Sequence, residues 1–448
     1  MNDKMTRVAV VLSTSVILTS CNSFQAPAKF EVTNIKDPTL IETDVISPLP
    51  TMKPSSVPTS PQVSLGRMPD ILLNLGTDGW WECDRDGTNQ IWFSAYPYHT
   101  SVALLNDDSV DYNYPTWSPD GEWMAYVHSE PITEIMPKEV RAPSGTDSIW
   151  IMRADGSDRR RVTDMLPRIN YLSPDGGCMA VTFITSNIVW SPDSKFIAFS
   201  YQVIGESITY YLVDLASGET SELMGQQGVS PPVWVDQDEI AITDDAITVY
   251  EILSNHEINS KVIQYPDEIP DDALFGFSNN AKYQVQVSGR SLISSFFILE
   301  TVKSRYHSTW QVNIDTGEWI VLIDQPNDNW GNPIIGDRWA AACGLDWNVY
   351  SINPLDWNVI DIYVSPTANL TCQMLDVLQD DTGQDIVSYP SNEIETRDGR
   401  KVVIDQGLYI AVLTSGELDP QLLVALDTLE IYPQYSVIVD YSWRIISD

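Results

Sequence analysis

Groups that move protons, hold metals or attack carbonyls are present in this sequence, but few are arranged for it. The four histidines, His99, His128, His256 and His307, are scattered, with no HExxH and no pair at metal-ligand spacing. No GxSxG elbow presents a nucleophilic serine. The 62 acidic side chains supply so many glycosidase-type carboxylate pairs that none is singled out, because spacing along the chain does not report separation in space. Glu82-Cys83-Asp84-Arg85-Asp86-Gly87-Thr88-Asn89 has oxygen donors at alternate positions and a glycine, which suggests a Ca2+ loop. An EF-hand would place its bidentate glutamate where Phe93 stands, so a polar hairpin turn is expected instead and no cofactor is required. Asp236-Gln237-Asp238-Glu239, Asp244-Asp245 and Asp271-Asp272 read as solvated turns. Arg159-Arg160-Arg161 is a basic cluster, suited to ion pairs with neighbouring aspartates or to a partner contact.

The cysteines are the next reactive set. Beyond Cys21 lie Cys83, Cys178, Cys343 and Cys372, with no CxxC spacing, which argues against zinc and thioredoxin chemistry. In an exported chain an even number favours disulfides. Cys343 with Cys372 would close a short loop inside one repeat, leaving Cys83 with Cys178; buried free thiols are the alternative.

The elements that position these residues begin with an address. Lys4 and Arg7 precede an apolar run from Val8 to Leu18, 11 residues long. As a helix that is roughly 16 Å, about half of a bilayer core, so it reads as the apolar region of a signal peptide and not as a span. It ends in Leu18-Thr19-Ser20-Cys21, which resembles the lipobox of bacterial lipoproteins. The resemblance implies cleavage before Cys21, a diacylglyceryl thioether on its sulfur and a lipid bilayer as first partner. An ordinary secretory signal is the alternative. Residues 21–69 then carry Cys21 and a stretch rich in Pro, Ser and Thr that cannot bury enough surface to offset its ordering entropy, so a disordered stalk is expected after the 1–20 signal.

The remainder, residues 70–448, is built to fold. The chain of 448 residues has 43% hydrophobic residues, 15 Trp and 20 Tyr. Its net charge of −37 argues against a nucleic-acid partner, because neutralising phosphates takes clustered Lys and Arg. Self-similarity runs through it. Trp117-Ser118-Pro119-Asp120-Gly121 leads into Trp123-Met124-Ala125-Tyr126-Val127, and Trp190-Ser191-Pro192-Asp193-Ser194 leads into Phe196-Ile197-Ala198-Phe199. Weaker copies start at Trp234 and Phe277. Each reads as an aromatic residue packed between sheets, a tight turn and a returning strand. A second hairpin follows, with Ala154-Asp155-Gly156-Ser157, Leu215-Ala216-Ser217-Gly218 or Ile314-Asp315-Thr316-Gly317 at its turn. Two hairpins make four antiparallel strands, and the motif spacings of 73, 44 and 43 residues fit one blade of a propeller per repeat, with one insertion.

This two-part signature resembles the WD40-like (PD40) repeats of the TolB propeller family, strongly over residues 115–220 and only in architecture beyond about residue 325. The resemblance implies an all-β β-propeller of four-stranded antiparallel blades and a non-catalytic binding scaffold. The Tol–Pal role is not carried over, since a stalk stands where TolB has an α/β domain and this chain carries its own lipobox. Leu172-Ser173-Pro174-Asp175-Gly176 is a motif copy only 18 residues before Trp190, too close for a blade, so an extra hairpin is expected there. Opening motifs near Trp117, Trp190, Trp234, Phe277, Gly336–Trp339 and Arg397–Arg400 give six blades. Gln90–Leu105 adds the outer hairpin of another, completed by residues 71–83 or by Tyr435–Ile446. Seven blades are therefore expected, with six or eight as alternatives, closed by the C-terminal strand.

Two functions are compatible with this reading. One is an extracytoplasmic, membrane-anchored scaffold of the bacterial envelope that binds a protein, peptide or glycan on a propeller face. The other is an exported propeller hydrolase or lyase acting on polysaccharide.

Overall fold

The structure, a computed structural model, describes residues 67–77, 89–96, 98, 101–107, 109–131, 145–172, 178–184, 188–203, 208–226, 232–243, 246–253, 257–268, 273–275, 285–288, 290–300, 303–323, 330–335, 340–344, 349–352, 359–363, 375–391, 407–413, 421–425 and 435–444. Every element among them is a β-strand. Hydrogen bonding groups the strands into six antiparallel sheets in a propeller arrangement.

The first sheet takes strands from both ends of the chain, in the order Tyr435–Trp443, Ile71–Thr77, Gln90–Ser94, Ser101–Leu105. Both segments expected to complete the Gln90–Leu105 hairpin are thus used. Met68 is 2% exposed and belongs to the core, so packed chain begins upstream of residue 70. One face of this sheet, through Ile71, Leu73 and Leu75, packs on Leu378, Ile386 and Ile410 of the last sheet. Leu72, Ile91 and Leu105 pack on Tyr112, Met124 and Met152 of the second. The sheet that holds both chain ends is therefore covered on both sides, which closes the ring.

The second sheet has ten strands and corrects the expected count. It contains one four-strand set, Asp111–Trp117, Trp123–Pro131, Gly145–Arg153 and Arg160–Arg161, and another, Val189–Trp190, Phe196–Val203, Ile208–Asp214 and Thr220–Gln226. Between them lies the expected extra hairpin, Leu166–Leu172 with Cys178–Ile184. Its first strand pairs with Gly145–Asp147 and its second with Tyr201–Val203. The bridge makes one continuous ladder where separate sheets were expected, and six sheets result, not seven. The strand Trp123–Pro131 is apolar over Trp123–Val127, where both faces pack against neighbouring strands and sheets. Met124 and Tyr126 face the first sheet, while Ala125 and Val127 pack with Ile149, Ile197 and Phe199.

The other sheets are shorter. Val233–Trp234, Glu239–Thr243, Ile247–Ile252 and Ile258–Ile263 form the third. In the fourth, Ala273–Phe275 and Val285–Ser288 both pair with Ser291–Glu300, followed by Lys303–Asn313 and Trp319–Ile323. The strand that pairs next to the long one on its N-terminal side, Val285–Ser288, lies beyond the motif copy beginning with Phe277, and that copy is outside the described residues. The fifth is Trp330–Ile335, Ala340–Gly344, Val349–Ile352 and Val359–Tyr363. The last is Asp376–Gln379, Asp385–Ser391, Gly407–Val412 and Gln421–Ala425. Its opening turn is Asp380–Gln384, where Asp380 Oδ1 accepts from the amides of Thr382 and Gln384 at 2.9 and 3.0 Å. The expected opening at Arg397–Arg400 is incorrect. Those residues lie outside the described ones, between the second and third strands of that sheet.

The repeated turn has a physical basis. Ser118 Oγ accepts from the Trp123 amide at 2.9 Å, and Asp120 Oδ1 accepts from the Glu122 amide at 2.9 Å. Ser191 and Asp193 repeat this with the Phe196 and Lys195 amides. Gly121 has φ 67° and the matching Ser194 φ 60°, so the second copy holds a serine in the left-handed region. The Trp190 indole donates to the Thr116 carbonyl at 3.4 Å and Trp234 to the Val189 carbonyl at 3.3 Å. These two motif tryptophans are thus tied to the inner strand of the preceding set. Asp155 Oδ1 accepts from the Ser157 amide, and Gly156, at φ 83°, completes the outer turn.

Candidate functional site

Several sequence candidates lie outside the described residues: Cys21, Cys83, Cys372, His99, His256 and the loop from Glu82 to Thr88. Both proposed disulfides involve such a residue. Cys178 and Cys343 sit in different sheets, in the strands Cys178–Ile184 and Ala340–Gly344, and His307 lies in Lys303–Asn313. Among the described residues no three His, Cys, Asp or Glu side chains are placed to hold a metal ion. Among them, too, no helix is long and apolar enough to cross a membrane.

Two groups of titratable side chains converge on the two faces of the first four strands of the second sheet. On the face toward the first sheet, Tyr112, Tyr126, His128 and Trp150 come together because alternate residues of adjacent strands share a face; Tyr112 is paired with His128 and Tyr126 with Trp150. The His128 ring stacks on Trp150 at 5.0 Å and meets the edge of Tyr112 at 5.5 Å. Arg159, from the turn before the outermost strand, reaches back over this group. Its guanidinium carbon lies 5.1, 5.4 and 5.8 Å from the ring centres of Trp150, Tyr112 and Tyr126. Those distances are within cation–π range.

The hydrogen bonds fix the state of His128. Arg159 can only donate, so its contact of 3.2 Å to His128 Nδ1 requires a lone pair there. The proton then sits on Nε2, which donates to Glu130 Oε1 at 3.0 Å. Burial holds the His128 pKa below its ordinary value; the hydrogen bond to Glu130 opposes this and the Arg159 charge reinforces it. The side chain of His128 is 7% exposed and that of Glu130 51%, so a neutral imidazole lies beneath a half-exposed carboxylate.

The second group lies on the opposite face, at the root of the bridging hairpin. Asp147, 3% exposed, accepts from Ser129 Oγ at 2.7 Å and from the Ile184 amide at 3.3 Å. Arg168 Nε is 3.6 Å away, and Arg168 also reaches Asp111 at 3.4 Å. Burial raises the Asp147 pKa and outweighs the attraction of Arg168. This cluster joins three strands and the hairpin, so its work is structural. Asp147→Ala leaves Ser129 without its acceptor and Arg168 with Asp111 alone, and is expected to cost about 3 kcal/mol, read as a lower urea midpoint.

The basic cluster does not make its expected ion pairs. Among the described residues none of Arg159, Arg160 and Arg161 is salt-bridged to a carboxylate. Arg159 lies over the aromatic group, and Arg160 reaches the Leu215 carbonyl at 3.4 Å. Cations elsewhere clamp neighbouring turns. Arg290 contacts Asp236, Glu239 and Asp315 at 3.2, 2.6 and 2.6 Å. Arg444 donates to the Gly121 carbonyl at 2.8 Å and contacts Asp70 at 3.2 Å. No local pattern signals the group around Arg159, because its rings come from three strands and the arginine from a turn.

No family model and no curated protein matches the chain. Solved structures with a similar fold include the β-propeller domain of the Trilobed protease from Pyrococcus furiosus, at 14% identity and a TM-score of 0.44, covering 81% of this chain and 98% of that one. Oligogalacturonate lyase from Vibrio parahaemolyticus matches at 9% identity and 0.43, covering 71% and 88%. A dipeptidyl aminopeptidase IV-like protein from Bacteroides ovatus matches at 12% and 0.37, covering 68% of this chain and 50% of its own, so the chain spans about half its length. These likenesses bear on the fold alone.

Proposed function

We propose that the chain is an extracytoplasmic lipoprotein of the bacterial envelope, anchored through Cys21, whose propeller is a binding scaffold for a basic peptide or protein segment. The observation that carries this reading is the charge. The net charge is −37, and the cations Arg153, Arg168, Arg290 and Arg444 are already engaged by carboxylates within the fold. A cationic partner is drawn to such a surface and anionic ones are turned away. The TolB-like repeats support the scaffold role.

Immobilised protein should bind an Arg- and Lys-rich peptide in low salt, with affinity falling as ionic strength rises, and should not bind the matched Asp- and Glu-rich peptide. Equal binding of the two would overturn the proposal. A second reading, an exported hydrolase or lyase acting on polysaccharide, draws on one observation: the Glu130 carboxylate held beside neutral His128 is an acid–base pair at the surface. Release of reducing ends from a polysaccharide, lost in Glu130→Gln, would favour that reading instead.

A further inference from the structure

The group around Arg159 has the composition of a cation receptor. Three aromatic rings, Tyr112, Tyr126 and Trp150, surround the guanidinium, and a neutral imidazole nitrogen accepts one of its N–H groups. Two carboxylates lie near: Glu130 on the imidazole, and Asp107, just past the outer strand of the first sheet, which acts electrostatically on both Arg159 and His128. Tyr126 is fully buried, with its hydroxyl against the same guanidinium. The occupant, by contrast, is an exposed residue entering from a turn, without a carboxylate partner among the described residues. The receptor is built into three strands, whereas the side chain that fills it comes from a turn outside them.

We propose that Tyr112, Tyr126, Trp150 and His128 form an arginine socket for the basic partner, occupied in its absence by the chain's own Arg159. This deepens the basic-partner reading and rests on it. The partner's guanidinium replaces Arg159 over the same rings and on the same His128 Nδ1, and Arg159 swings out beside Arg160 and Arg161. An occupant in cis lowers the apparent affinity in proportion to the time the socket stands open. Protonation of His128 places a proton on Nδ1 where the guanidinium must donate, so either occupant is expelled. The charged and titratable groups facing His128 are Arg159, Glu130, Asp107, Tyr112 and Tyr126. Of these, only Glu130 and Asp107 favour the protonated ring.

The test uses N-acetylarginine amide and its neutral isostere N-acetylcitrulline amide, with calorimetry on the wild-type chain and on Arg159→Ala. Arg159→Ala should bind the arginine amide about tenfold more tightly than wild type, if the socket is self-occupied nine-tenths of the time. It should ignore the citrulline amide, and lose the arginine amide as pH falls through the titration of His128. Hydroxyl-radical footprinting provides a second readout: oxidation of Tyr112, Tyr126 and Trp150 should rise in Arg159→Ala and fall again on adding the arginine amide. Equal binding of both amides, or no binding by a folded Arg159→Ala chain, overturns the socket. A basic peptide that binds wild type and is unaffected by Arg159→Ala or Trp150→Ala overturns the socket and leaves the basic-partner reading standing. Socket binding of the amide with no binding of any basic peptide overturns that reading alone.

Discussion

Deleting residues 430–448 abolishes cooperative folding of the whole propeller. The deletion removes the strand Tyr435–Trp443, whose pairing with Ile71–Thr77 runs from Ile71 opposite Trp443 to Thr77 opposite Tyr435. Three of its side chains, Ile438, Tyr441 and Trp443, belong to the core shared with the last sheet. The Tyr441 hydroxyl donates to the Ser388 carbonyl at 3.0 Å and the Trp443 indole to Ser388 Oγ at 3.0 Å, so the strand ties the last sheet to the first. Arg444 adds the link to Gly121 of the second sheet. Truncating one large buried side chain costs about 2–5 kcal/mol, and three lost together reach the ~5–15 kcal/mol that is the whole stability of a typical domain. Calorimetry on the truncated chain should show no sharp transition; one at the wild-type temperature would refute ring closure by this strand.

With the proposed anchor at Cys21, Cys21→Ala should move the protein from the membrane to the soluble fraction. One acyl chain gives only marginal attachment, whereas two or three on one cysteine hold a protein firmly, at ~0.8 kcal/mol per buried methylene. Surface charge offers no substitute, because a net charge of −37 is repelled by anionic headgroups. The check is fractionation with labelled palmitate: wild type should sediment with membranes and carry label, and the variant should do neither. A variant that still sediments with membranes would mean that something other than Cys21 anchors the chain.

The part of the architecture that repeats was legible in the sequence. A Ser, an Asp and a left-handed residue at fixed offsets after a tryptophan are local, and the turns at Ser118–Gly121 and Ser191–Ser194 use those residues in hydrogen bonds to their own neighbours. The opening turn of the last sheet carries no such signal, because Asp380–Gly383 turns the chain without the tryptophan or the proline. The number of sheets is not legible for a different reason. The bridging hairpin was foreseen from its spacing, but its pairing at both ends with distant strands is a tertiary choice that no local pattern encodes. The arginine socket was hidden in the same way. Alternation puts Tyr126 and His128 on one face of a strand, yet nothing in the sequence says that Arg159 folds back over them.

The first sheet also decides how the molecule bears force. Chain upstream of Arg67 leads directly into Ile71–Thr77, which lies between two antiparallel neighbours, Tyr435–Trp443 and Gln90–Ser94. Tension arriving from the N-terminal side acts along the strand axis, so the flanking hydrogen bonds are loaded together in shear and not opened one after another. The Arg444 amide, bonded to the Asp70 carbonyl at 2.8 Å, takes up that load at the strand's entry. A propeller pulled from the N-terminal side therefore resists at the seam where its ring is closed.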